Sequence, residues 1–150
     1  MLRQGPISLT MHAVAEPLLA ALFIAAPFLF GFSDQGAPTA VSIVAGVGIL
    51  LLAMSTRWRL SLIKAIPIPA HLAIDLVLAA LLIAAPFLFS FSDETAPTAF
   101  FIVMGVVDLL ATLGTRWYPA AGAGGAAQGG GRLRRRGRGA DSDPGAQPTA

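Results

Sequence analysis

The 150 residues are 55% hydrophobic and 12% charged, with a mean hydropathy of +0.73, a profile of an integral membrane protein rather than of a soluble domain. No cysteine is present, which excludes disulfides, thiolate metal sites and cysteine nucleophiles. The formal net charge of +2 comes from arginines near and beyond the last apolar run, so it belongs to ends and loops rather than to a binding face.

Residues 1–11 carry one cation, Arg3, and are expected to be a cytoplasmic N-terminal segment. Ala13 to Phe32 is an apolar run interrupted by Glu16, Pro17 and Pro27. A hydrocarbon core of about 30 Å needs about 20 helical residues, so the run suffices to span. A cleaved signal peptide is the competing reading, but the same kind of segment recurs internally at Leu72 to Phe91, where it cannot be one. Ser33 to Ala37 forms a polar turn, and Pro38 opens a second helix, where a missing N–H costs nothing, that runs to Met54. Arg57-Trp58 and Arg116-Trp117 read as interfacial anchors at headgroup level.

Residues 59–70 form a linker with Arg59 and Lys64, and its Ile66-Pro67-Ile68-Pro69 reads as extended or interfacial backbone. The third helix starts near His71 and runs through Phe91, Ser92 to Ala96 turn, and the fourth covers Pro97 to Gly114. Residues 118–150 are Gly/Ala/Arg-rich and can bury no core, which predicts a disordered cytoplasmic tail. Its arginine tract acts as a positive-inside determinant with some attraction to anionic lipid. Nucleic acid is not an expected partner, because no aromatic residue interleaves the arginines.

Residues 12–58 laid over 71–117 at a constant offset of 59, without a gap, give 28 identities in 47 positions. This predicts two duplicated helical hairpins, hence an all-α integral membrane protein with four transmembrane helices. All ten Lys and Arg avoid the two short turns, which hold Asp34, Asp93 and Glu94, so both termini and the linker are expected on the cytoplasmic side of the cell membrane. Two hairpins in the same orientation imply a pseudo-twofold along the membrane normal.

Five polar residues are candidates for function. His12 and Glu16 stand four apart on one helical face, and His71 and Asp75 match them in the second copy. They are read either as caps and pairs or as a proton-handling or metal site where the two copies meet. Asp108 replaces Ile49 of the first copy mid-helix, at a cost of about 2.5–3.5 kcal/mol unless paired or protonated. Pairing with His71, or snorkelling toward Arg57 or Arg116, would relieve that cost. Pro27 and Pro86 lack the N–H groups that would bond the carbonyls of Phe23 and Leu82, so each odd helix should bend near its outer end. Small residues four apart, Ala21 and Ala25, Ala80 and Ala84, Ser42 and Gly46, should allow close helix approach.

With Ala26-Pro27-Phe28 followed by Gly31-Phe32-Ser33, and Ala85-Pro86-Phe87 followed by Ser90-Phe91-Ser92, the chain resembles the SPW repeat family of small bacterial integral membrane proteins. In that family a helical hairpin carries a Ser-Pro-Trp signature near the end of its first helix; here Pro27 and Pro86 keep the proline, while Phe28 and Phe87 stand at the tryptophan position. The resemblance covers residues 12–117 and implies a fold and a location but no activity. No catalytic or cofactor motif is present, so the expectation is a non-enzymatic structural or accessory component of the membrane, with the lipid bilayer as partner. The alternative is a small proton- or ion-linked transporter or channel component, which would need a homo-oligomer to enclose a path.

Overall fold

The computed structural model describes residues 5–117. The tail, with its anticipated disorder and lipid contact, lies outside the described residues. Four helices, α1 (Leu9–Leu29), α2 (Gly36–Ser55), α3 (Ile68–Leu88) and α4 (Thr95–Gly114), are each long and apolar enough to cross a membrane. A short strand before α1, β1 (Ile7–Ser8), pairs in parallel with β2 (Thr115–Arg116), which follows α4.

Helix ends differ from the expected boundaries for local chemical reasons. Helix α1 begins at Leu9 because the Ser8 hydroxyl accepts a hydrogen bond from the Met11 N–H at 3.2 Å, a standard N-cap. Helix α3 begins at Ile68, not near His71. Pro67 is its extended N-cap and Pro69 falls in the first turn, where no N–H is needed, so only the start of the proline segment is extended. Helices α1 and α3 stop at Leu29 and Leu88, three residues short of Phe32 and Phe91. Gly31 (φ 69°) and Ser90 (φ 56°) are left-handed there, and the N–H groups of Phe32 and Phe91 return to the carbonyls of Pro27 and Pro86 at 2.9 Å. That is a Schellman ending, and it buries the Phe32 and Phe91 rings under the turns.

Pro27 cannot supply the N–H that would bond the Phe23 carbonyl. The Ser42 hydroxyl, on α2, donates to that carbonyl at 2.6 Å and is fully buried. A neighbouring helix thus satisfies the group that proline frees, which is how proline is accommodated inside lipid. The position equivalent to Ser42 in the second hairpin is Phe101, which has no hydroxyl to offer Leu82.

Within each hairpin the helices touch at glycine. A Cβ on Gly46 would stand 2.8 Å from the Ala20 carbonyl oxygen, and one on Gly105 would stand 3.0 Å from that of Ala79. The Ser42/Gly46 stripe is therefore a contact face. The alanine stripes sit one position away from the expected register: Ala20 and Ala79 are buried whereas Ala21 and Ala80 are exposed, because the 3.6-residue turn aims the former at the partner helix. The two hairpins then share a core of Phe23, Phe100, Phe101, Phe32 and Phe91, with Phe23 edge-on to Phe100 at 5.0 Å. Leu18, Val44, Leu51, Val77, Phe87 and Leu110 point outward, an apolar surface suited to lipid.

Contacts between the hairpins are reciprocal at the offset of 59. His71 meets Glu16 and His12 meets Asp75; Trp58 packs on His71 and Trp117 on His12. The Thr56–Ile66 bridge matches the Ile7–Thr115 pair. Reciprocity of this kind is the signature of a twofold relation. The pairs that map onto themselves, His12 with His71 and Gln35 with Glu94 (3.1 Å), lie at opposite ends of the helices, so the axis runs along the bundle.

Candidate functional site

The N-terminal halves of α1 and α3 bring four of the five polar candidates into one buried ring. His12 Nε2 lies 3.2 Å from Glu16 Oε1 and 3.3 Å from Asp75 Oδ2, while His71 Nε2 lies 2.7 Å from the same Glu16 oxygen and 3.2 Å from the same Asp75 oxygen. Nitrogen and oxygen alternate around the ring. The i,i+4 pairs read from the sequence are present, and cross-pairs of equal closeness join the two hairpins through them.

The other side of each imidazole determines what the ring can hold. His71 Nδ1 is 2.8 Å from Thr56 Oγ1, and His12 Nδ1 is 3.0 Å from Thr115 Oγ1. Each threonine hydroxyl spends its single proton on a backbone carbonyl at 2.7 Å, that of Leu52 or of Ala111. The hydroxyl oxygens are therefore acceptors toward the imidazoles, and both Nδ1 atoms carry hydrogen. A neutral imidazole in this tautomer aims its Nε2 lone pair at carboxylate oxygens, which are acceptors too. Each edge of the ring thus requires something between its two acceptors, either a proton, on Nε2 or on a carboxyl oxygen, or a metal ion. The four residues each offer a ligand atom, and these atoms lie within 4.8 Å of one another.

Trp58 and Trp117 cover the ring. They are 6% and 1% exposed, with indole centroids 4.4 Å from His71 and 4.8 Å from His12, so they pack inside the bundle rather than stand free as anchors. Their N–H groups donate to the carbonyls of Ala53 and Thr112 at 2.9 and 2.8 Å, which satisfies the one polar atom that would otherwise draw an indole to an interface.

Asp108 does not join the ring. His71 has both nitrogens engaged already, and no ion pair links Asp108 to Arg57 or Arg116 among the described residues. Its Oδ2 is buried with no hydrogen-bond partner, as is Glu16 Oε2. Both residues line a cavity of about 240 Å³ together with His12, Leu19, Leu22 and Val107. The signature prolines Pro27 and Pro86 are buried in the helix ends, while Phe28 and Phe87 face outward, 70% and 64% exposed, far along their helices from the ring.

Thr56 and Thr115 escaped the sequence reading. The signal is present, since both open a repeated Thr-Arg-Trp triplet, in which the arginine and tryptophan draw attention away from the hydroxyl. Ser42 is both a small contact residue, as its spacing from Gly46 suggests, and a hydrogen-bond donor, which its spacing does not show.

The described fold is thus two like hairpins with four apolar helices, and the model of the SPW repeat domain matches residues 10–115. The chain belongs to the SPW repeat family. No curated protein and no solved structure matches it. Family membership and the four apolar helices make it a multi-pass membrane protein.

Proposed function

We propose that this SPW repeat protein is a non-enzymatic structural or accessory component of the cell membrane, with both termini and the α2–α3 connection cytoplasmic. The observation that carries this reading is the division of its interior. The ring of histidines and carboxylates closes one end of the bundle, and beyond it the shared core is Phe23, Phe100, Phe101, Phe32 and Phe91. Such an interior favours a locked pair of hairpins over a polar route through one copy. Both hydroxyls that touch the imidazoles donate to backbone carbonyls, which disfavours a role as nucleophiles. The orientation rests on the arginines and lysine of the α2–α3 connection against the acidic turns.

A second reading, a small proton- or ion-linked transporter or channel component, draws on the buried carboxylates of Glu16 and Asp108 that line one cavity. Its path would be enclosed by several copies. The test is proton and ion flux into liposomes carrying the purified full chain. The expected result is a flux equal to that of protein-free vesicles. A flux that vanishes in Asp108→Asn without change of melting point would replace the accessory reading with the transporter reading.

A further inference from the structure

We infer that His12, Glu16, His71 and Asp75 form a binding site for one divalent first-row transition-metal ion of zinc-like chemistry, held between the two hairpins. Four features of the ring point there. The first is its donor set, two imidazole nitrogens and two carboxylate oxygens, which suits borderline ions such as Zn²⁺ or Co²⁺ better than the all-oxygen demand of Ca²⁺ or Mg²⁺.

The second is size. In a tetrahedral site with ligand bonds of about 2.0–2.2 Å, neighbouring ligand atoms stand about 3.3–3.6 Å apart. Of a tetrahedron's six edges the ring supplies four: three, at 3.2, 3.2 and 3.3 Å, are already close to that, and the fourth, His71 to Glu16 at 2.7 Å, needs to open by less than 1 Å, while the two diagonals, within 4.8 Å, would have to draw in as the ion binds. The third is the outer support. A metal-bound imidazole is ordinarily fixed by a hydrogen bond from its other ring N–H, and Thr56 and Thr115 accept that bond here from both histidines.

The fourth is an orphan. Glu16 is 6% exposed, its Oε1 belongs to the ring, and its Oε2 is buried without a partner. In a ring held by protons alone, Oε2 stays unsatisfied; an ion bound through Oε1 would bring Oε2 within reach as a fifth, weaker ligand, a number that zinc also takes. Charge balances as well, since two neutral imidazoles and two carboxylates sum to −2 and one divalent ion neutralises them. Any protons carried on Nε2 leave as the ion enters. The cavity bordered by His12 and Glu16 reaches the ring, and the two indoles pack against its imidazoles.

Because two ligands come from each hairpin, the ion would clamp the pseudo-twofold interface. This inference does not depend on whether the protein is accessory or transporting, and its test does not measure flux. The full chain in detergent micelles, stripped with chelator, is titrated with Zn²⁺ by calorimetry and with Co²⁺ by visible absorption. The expected result is one ion per chain, an intense Co²⁺ spectrum of the four- or five-coordinate kind, displacement of Co²⁺ by Zn²⁺, and no competition from excess Mg²⁺. Asp75→Asn and His71→Gln should lose stoichiometric binding, while Asp34→Asn in the distant turn should bind as the parent does. Thr56→Val and Thr115→Val should each weaken affinity about 10- to 100-fold through loss of the orienting acceptor, with Thr→Ser restoring it. Should the ligand variants fail to fold, the parent spectrum still decides. Absence of stoichiometric Zn²⁺ uptake by the parent, or an octahedral Co²⁺ spectrum, overturns the inference, as does unchanged binding in folded Asp75→Asn and His71→Gln.

Discussion

Ser42→Ala removes the one donor that α2 lends to the carbonyl freed by Pro27. The bond is short, 2.6 Å, and the serine is fully buried, so the loss leaves a carbonyl oxygen unsatisfied in an apolar interior. An orphaned buried acceptor costs about 1–3 kcal/mol, and measured interhelical hydrogen bonds in membranes reach about 1.7 kcal/mol, so a loss of about 1–2 kcal/mol is expected. The mechanism makes a sharper demand than the magnitude. With alanine at position 27, the backbone N–H returns and can bond the Phe23 carbonyl within α1, so Ser42→Ala in a Pro27→Ala background should cost less than about 0.5 kcal/mol. The double-mutant cycle therefore carries a coupling of about 1 kcal/mol between two residues on different helices. Reversible unfolding in mixed detergent micelles, followed by far-UV circular dichroism, measures all four corners. Equal costs of Ser42→Ala in both backgrounds would refute the idea that serine substitutes for the proline's missing donor.

Asp108→Ile, which installs the residue found at Ile49, should stabilise by about 1–3 kcal/mol because it removes a buried, unpartnered carboxyl oxygen; a lower unfolding midpoint would show that the carboxyl has a partner that matters. Gly46→Ala should destabilise by about 1–3 kcal/mol, since its Cβ meets backbone at 2.8 Å, whereas Gly48→Ala, with open space around it, should be neutral or stabilising in the same unfolding assay. Ser90→Gly should stabilise by up to about 1 kcal/mol by relieving a left-handed backbone at a non-glycine residue, and an unchanged midpoint would show that the strain is not there. Single cysteines at Asp34 and Thr95 should react with an impermeant thiol reagent added outside intact cells, and one at Ser61 should not; labelling at Ser61 would invert the topology.

Hydropathy and the offset of 59 made four helices, their hairpin grouping and the relation of polar residues along each helix legible in the residues alone. That is so because a bilayer span is set by length and apolarity, and because i,i+4 neighbours share a face whatever surrounds them. His12 beside Glu16, and His71 beside Asp75, were readable for that reason. Their assembly into one ring was not, because a helix's own period says which residues share its face but not which foreign face it meets. Asp108 illustrates the same limit: pairing with His71 is open to it in the sequence, yet His71 is saturated by Thr56 and the two carboxylates. Trp58 and Trp117 each follow an arginine, which suggests exposed anchors, but packing supplies them with carbonyl acceptors and histidine rings, so their indoles are buried in the bundle. The alanine register missed by one residue because small residues occupy successive positions, and only contact with the partner helix distinguishes them. What the fold added to the chain is thus the choice of neighbours: hydrogen-bond capacity is a property of each side chain, but whether it is spent on water, on its own helix or on another hairpin depends on which surfaces are buried together.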